Sequence, residues 1–267
     1  MAALMLNLLG GFEVRLGDRS FMLPTKRGQA LLAFLAMTAD RRHSRDMLAG
    51  FLWEDRGEQQ ARTSLRQTLS VLRKVIPPAE VDWLRADGDS IALNRDVVEL
   101  DVAVFERLAA EPTLPALTQA AALYKGDLLQ GFSLRGEAFE DWLRSERERL
   151  HECAVQMLGK LLALQCKSAD TEAGIATAGR LLSLDPLQER AHRAIMQLYV
   201  RQGRQDAALR QYELCRERLH RELGIEPEPE TEHLYHDIRA RRSTPPSGHP
   251  ARSAPWSADL KLSLIHI

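Results

Sequence analysis

The sequence predicts a mainly α-helical fold with a small β component, and three observations predict it. Residues 45–74 hold two amphipathic helical segments separated by a charged break. Short runs of strand-like pattern, joined by Gly-Asp or Asp-Gly pairs, lie on either side of them, before residue 24 and at 83–93. From Asp101 to Arg242 the apolar residues recur at helical spacing, with proline and glycine marking the ends of the segments.

Taken in order, Leu4–Leu16 and Ser20–Leu23 read as short strands joined through Gly17-Asp18. Lys26 to Met37 reads as a helix, with Thr25 as its N-cap candidate. Ser44 can cap a helix that ends near Trp53. A third helix spans about Glu58 to Lys74 and is stopped by Pro77-Pro78. Trp83 to Leu93 reads as a hairpin turning at Asp87-Gly88. Strands, three helices and a terminal hairpin describe a winged helix-turn-helix.

The third helix has two faces. Ala61, Leu65, Thr68, Leu69, Leu72, Val75 and Ile76 share one side at a 3.6-residue period, as a core-facing stripe requires. Thr63, Gln67, Ser70 and Lys74 lie opposite, with Arg62, Arg66 and Arg73 along one flank. This outer set contains no acid. It combines long cations with hydroxyls and an amide, the side chains that bind phosphates and read base edges. From Thr63 to Lys74 the helix is roughly 16 Å long, a length that fits a major groove.

Residues 4 to about 105 resemble the response-regulator-type (OmpR/PhoB-class) winged helix in the form used by SARP-type antibiotic-regulatory activators. The resemblance is carried by Leu9-Gly10 with Phe12, Leu23-Pro24, Lys26-Arg27 with Ala30 to Leu32, and Leu52-Trp53. It continues through Ala61-Arg62, Leu65-Arg66 and Leu72-Arg73 to Asp87-Gly88 and Val98–Asp101 with Phe105. Further on, Leu184-Asp185-Pro186 ends one helical unit. Tyr199, Gly203, Ala208 and Tyr212 fall at tetratricopeptide spacing in the next, where small residues let helices pack closely. Gly174 and Ala178 hold the corresponding tight positions one unit earlier; Met196 stands where the repeat usually has glycine, so the repeat is degenerate. Leu123 to Leu129, Trp142-Leu143 and Leu219 to Glu230 resemble the bacterial transcriptional activator domain, which directly follows the winged helix in SARP-type regulators.

The division expected is a winged helix over 1–100, a tetratricopeptide-like helical repeat domain over 101–242, and a proline-rich disordered linker over 243–267. Asp101 starts the first helix of the second domain and is a candidate cap for it. Glu111 to Pro115 is a loop between that domain's first two helices.

The resemblance implies sequence-specific transcription activation by recruiting RNA polymerase at direct-repeat promoter sites, with a homodimer on double-stranded DNA. The helix over 58–74 would enter the major groove. Arg62, Arg66, Arg73 and Lys74 would supply phosphate or guanine contacts, with Thr63, Gln67 and Ser70 near base edges and sugars. The hairpin would be the wing. Its tip at Asp87-Gly88-Asp89 is acidic, so Arg85 and Arg95 on its sides are the DNA-contact candidates. The loop carrying Glu54, Asp55, Arg56 and Glu58 sits where this class contacts polymerase; as a sequence it is equally a solvated turn. The alternative is a helical-repeat interaction module whose winged helix is structural or docks protein.

Composition bounds these readings. With 36 basic and 37 acidic residues, and balance over 1–105 as well, any positive potential must be concentrated on one face. Cys153, Cys166 and Cys215 lack CxxC spacing and read as reduced, semi-buried thiols of a cytoplasmic protein. No run approaches the length of a membrane span, and the apolar start lacks the basic region of a signal peptide. The eight histidines form no metal-spaced cluster, and Asp87-Gly88-Asp89 is too short for a calcium loop, so neither a cofactor nor catalysis is expected. The charged run Glu137–Glu152 reads as a solvated helix with i,i+4 pairs, and Trp142 as the anchor of a repeat core. The closing Leu262-Ser-Leu-Ile-His-Ile267 has no cap or partner. The codons CTG TCT CTT ATA CAC ATC would encode it, and that DNA resembles the transposase end used in tagmentation libraries; the alternative is a genuine tail strand that pairs with a partner. The native protein is therefore expected to continue after roughly Ala258 into another domain.

Overall fold

The computed structural model describes residues 3–39, 41–77 and 81–243. The expected linker and its terminal hexapeptide lie outside these residues. The elements run β1 (Leu4–Asn7), β2 (Glu13–Leu16), β3 (Arg19–Phe21), α1 (Lys26–Met37), β4 (His43–Ser44), α2 (Arg45–Leu52), α3 (Glu58–Val75), β5 (Leu84–Asp87), β6 (Ser90–Leu93) and β7 (Val98–Leu100). Seven helices follow: α4 (Asp101–Ala110), α5 (Leu114–Leu123), α6 (Glu137–Cys166), α7 (Thr171–Leu184), α8 (Glu189–Arg201), α9 (Gln205–Leu223) and α10 (Pro229–Ser243).

The first sheet has the order β3-β2-β1-β7, with β7 parallel to β1, and the second has the order β4-β6-β5. Helices α1 to α3 lie in sequence between the β1–β3 strands and the β5–β6 hairpin, with the two-residue β4 between α1 and α2, which is the winged-helix arrangement. Thr25 Oγ1 accepts from Gly28 N at 3.1 Å and Ser44 Oγ from Met47 N at 3.1 Å, so both expected N-caps form. The hairpin turns one residue later than expected. Asp87 pairs with Ser90, so Gly88 and Asp89 are the loop residues, and Gly88 takes the left-handed φ of +53° that glycine accepts without steric cost.

A single buried cluster runs from Leu4 in β1 to Leu198 in α8, so packing does not break between the winged helix and the helical region. Backbone bonds cross the junction too. Leu129 N donates to Leu8 O at 2.8 Å, and Gly10 N to Asp127 O at 3.0 Å. Asp101 is not the N-cap of α4, because that position is Leu100. Instead its carboxylate accepts from Leu8 N and Leu9 N at 2.8–2.9 Å and ties the sheet edge to the start of α4. Burial pushes this carboxyl above its usual range, against the opposing pull of those donors.

Further along, the helix pairs α6/α7 and α8/α9 form the degenerate repeat, with α10 packed against α9. A Cβ added at Gly174 would lie 2.9 Å from Leu198 Cδ1, so this glycine permits close helix contact, and Ala178 is fully buried. Ala208 packs with Met196, Tyr212 and Ile238 in a second, smaller core, where the Tyr212 and Tyr235 rings stack at 4.1 Å. Gly203 does something different from the expected close contact. No atom lies within 4 Å of a Cβ built there, and its φ is +73°, so it is needed for the turn between α8 and α9 rather than for packing.

The charged segment of α6 also departs from a plain solvated face. Arg147 donates to the carbonyls of Leu128, Leu129 and Phe132, holding the turn in which Leu129 has a φ of +49°. Arg144 and Arg149 do pair along the helix, with Asp141 and Glu146, at i,i+3. Trp142 belongs to the junction and not to a repeat core: its ring lies 5.2 Å from that of Phe34 and 5.3 Å from that of Phe139.

Candidate nucleic-acid interface

The 18 residues of α3 are oriented by their buried face. Ala61, Leu65, Leu69 and Leu72 are each at most 3% exposed, and Ser64 joins them on that side. Thr68 and Val75, expected in the stripe, are half-buried at its edge. Ile76 is fully buried, and its carbonyl accepts Trp83 Nε1 at 3.0 Å, which fixes the end of α3 against the wing. Arg56 Nη1 donates to Ser64 Oγ at 2.7 Å and ties the preceding loop down.

With that face buried, the opposite one is presented to solvent. Arg66, Gln67, Ser70, Arg73 and Lys74 are exposed, and among the described residues no hydrogen bond or ion pair engages their side chains. Two of the other candidates are already occupied. Arg62 makes a two-pronged pair with Asp46, at 2.6 and 2.8 Å, and also meets Glu58 at 2.7 Å. The Asp46 carboxylate raises the pKa of the Arg62 guanidinium above its ordinary value. Thr63 Oγ1 donates back to Gln59 O at 2.9 Å. The freely presented set is therefore narrower than the sequence pattern and lies further along the helix.

Between α3 and the wing turn lies an open groove of about 810 Å³, lined by Arg66, Arg73 and Lys74 on one side and by Gly88 and Asp89 on the other. Arg45 completes it and was not among the residues expected there. Its backbone N donates to Asp89 O at 2.9 Å and its Nε to Gly88 O at 3.3 Å, which holds the wing turn beside α3. The acidity of the wing tip is partly offset, since Asp87 pairs with Arg42 at 3.2 Å. On the wing's sides, Arg85 is paired with Asp96 at 2.8 Å, whereas Arg95 is exposed and makes no hydrogen bond or ion pair among the described residues. Arg41, Arg42, Arg85 and Arg95 line a second, smaller cleft there.

The loop before α3 is committed to internal contacts. Glu54 accepts from the backbone N–H groups of Glu137 and Ala138 at the start of α6, an anion at a helix N-terminus, where the backbone donors are free. Asp55 pairs with Arg27 at 2.9 Å and Glu58 with Arg62. Local spacing gives no sign of the Glu54 contact, because its partners lie more than 80 residues away.

Among the described residues, no group of His, Cys, Asp and Glu could hold a metal ion, and no helix is long and apolar enough to cross a membrane. The three cysteines are free. Burial pushes the Cys215 thiol up to about 12 and raises those of Cys153 and Cys166.

A winged helix with an open cationic helix face, packed continuously onto a stack of helical hairpins, is the architecture of a SARP-type transcriptional activator. Residues 100–239 match the family described as "Bacterial transcriptional activator domain". The chain belongs to that family, and its relatives are transcription regulators. It is 28% identical over 253 residues to the transcriptional regulatory protein MoaR1 of Mycobacterium tuberculosis, covering 88% of this chain and 79% of that protein. The regulatory protein DnrI of Streptomyces peucetius is 25% identical over 248 residues, covering 87% and 91%. The regulatory protein AfsR of Streptomyces griseus is 26% identical over 248 residues; this is 88% of the present chain but only 24% of AfsR, so the chain spans about a quarter of that relative. Among solved structures, Mycobacterium tuberculosis EmbR in complex with a low-affinity phosphopeptide shares the fold, with a TM-score of 0.68 at 23% identity over 90% of this chain and 66% of that one.

Proposed function

We propose that this protein is a sequence-specific, double-stranded-DNA-binding transcription activator that works in the cytoplasm, without enzymatic activity, and recruits RNA polymerase at promoters carrying direct repeats. The observation that carries the reading is the row Arg66, Gln67, Ser70, Arg73 and Lys74, acid-free, exposed and unengaged among the described residues on a helix whose other face is anchored. Cations at this spacing neutralise phosphates, and the amide and hydroxyl between them suit base edges. In this reading residues 1–100 are the reader, with Arg95 and Arg85 at the wing. Residues 101–242 hold it in register and support a homodimer on DNA. The loop Glu54 to Glu58 is the surface offered to polymerase, its shape set by the contacts to α6, Arg27 and Ser64.

A second reading has one observation in its favour. The core runs unbroken from the winged helix into the helical region, as it would if the winged helix served as a structural or docking unit of an interaction module. Salt separates the two. A DNA reader loses affinity for promoter duplex steeply as salt rises, by about 0.9 in log–log slope per phosphate neutralised. Lys74→Gln is expected to lower that slope by about one while leaving sequence preference intact. An affinity indifferent to salt, with Lys74→Gln silent, favours the docking module.

A further inference from the structure

Val71 is the one large apolar side chain of α3 that stands exposed among the described residues, at 36%. Isolated exposed apolar residues are ordinary on protein surfaces. The setting of this one is not: Ser70 precedes it, Gln67 lies one turn before it and Lys74 one turn after, all exposed and unengaged. The groove shared with the wing takes Arg62, Arg66 and Arg73 together with Ser70 and Lys74 but not Val71, which lies four residues after Gln67 on the flank of the helix away from Arg62 and Arg73. A β-branched residue is a weak helix former, and an exposed one gains nothing from the core. Its two methyl groups are useful only against an apolar surface. In a major groove the apolar group offered by the bases is the C5-methyl of thymine.

We propose that Val71 reads a thymine methyl, and that Gln67 beside it reads an adenine, so that the two residues select A·T base pairs about two steps apart within the binding site. Glutamine matches the N6 and N7 of adenine with its amide, and a branched aliphatic packs on the thymine methyl without needing a hydrogen bond. The two residues are four apart, which places them on one side of the helix about 6 Å apart along its axis. That is close to two base-pair steps of ~3.4 Å. The inference rests on the proposed placement of α3 in the major groove.

The test uses the full chain and a duplex selected from a random pool. Each thymine of that duplex is replaced in turn by deoxyuridine, which removes only the methyl group. One such replacement is expected to weaken wild-type binding about four-fold, the equivalent of one methylene-sized burial of ~0.8 kcal/mol. Val71→Ala is expected to bind the thymine duplex about four-fold more weakly than wild type and to be indifferent to that uracil. Its thermal unfolding should be unchanged, because alanine is the better helix former at an exposed site. If every uracil duplex binds wild type as well as the thymine duplex, or if Val71→Ala keeps the full uracil penalty, the assignment is overturned. A selected site that depends on Arg66 but ignores the methyl removes only the Val71 reading. A pool that yields no preferred duplex, or a site bound equally well by Arg66→Ala, removes the reading of α3 itself.

Discussion

Phe139→Ala is expected to destabilise the whole chain by about 3–5 kcal/mol, the usual cost of emptying a fully buried aromatic site. The Phe139 ring is completely buried, 5.8 Å from Phe51, 6.0 Å from Phe132 and 5.3 Å from Trp142. Phe51 lies in α2 and in turn meets Phe34 of α1 at 4.5 Å, so the cavity would open at the joint between the winged helix and α6 rather than inside either. The second consequence is loss of cooperativity. With the Phe139 ring removed, the joint is left to Trp142 against Phe34 and Phe51, the Glu54 contact to α6, the Asp101 carboxylate and the backbone bonds around Leu8 and Leu129. Urea unfolding followed by tryptophan fluorescence, which reports on all four tryptophans, Trp53, Trp83, Trp142 and Trp256, together with far-ultraviolet dichroism checks both effects. The two probes should coincide in the wild type and separate in the variant. A loss below about 1 kcal/mol with the probes still coincident would mean that the joint does not depend on these rings.

Arg66→Ala is expected to weaken binding to a preferred duplex by about 1–3 kcal/mol, with relaxed preference at one base position. The side chain is exposed and makes no hydrogen bond or ion pair with another described residue, while Leu65 beside it is buried. Stability should therefore stay within about 0.5 kcal/mol of wild type. Arg62→Ala serves as the contrast. Its guanidinium holds Asp46 and Glu58, so removing it frees two carboxylates near the groove, and part of any affinity loss would come from that new negative charge. Titration of both variants against one duplex, with thermal unfolding in parallel, measures the difference. Arg66→Ala binding as tightly as wild type would remove this residue from the interface.

The parts of this structure that are legible in the sequence are those decided locally. Thr25 and Ser44 mark helix starts because a side-chain oxygen can satisfy a free N–H two or three residues on, and the stripe from Ala61 to Leu72 marks the buried face of α3 because a helix repeats every 3.6 residues. The parts that are not legible depend on distant partners. The three residues of β7 show no alternation long enough to read, and they become a strand by pairing with β1 more than 90 positions earlier. Likewise β4 is two residues long and exists through His43 and Ser44 pairing with β6. Glu54, Arg147 and Trp142 all look like surface or repeat residues in their own segments; their places at the joint are set by chain crossings that spacing does not encode. The candidate site shows the same division. The face of α3 follows from its period, while the withdrawal of Arg62 into a pair with Asp46 depends on how α2 lies against α3. Gly203 illustrates a different gap: its small size is equally explained by contact or by a left-handed turn, and only the φ of +73° decides for the turn.

Whether the exposed face of α3 reads DNA sequence can be decided by selecting bound duplexes from a random pool with the full chain at near-physiological salt. A direct repeat whose half-sites are one helical turn of DNA apart, or a multiple of it, is expected to be enriched, and Arg66→Ala is expected to lose that enrichment. A pool that remains random after repeated rounds, or one that Arg66→Ala enriches identically, would contradict sequence reading by α3.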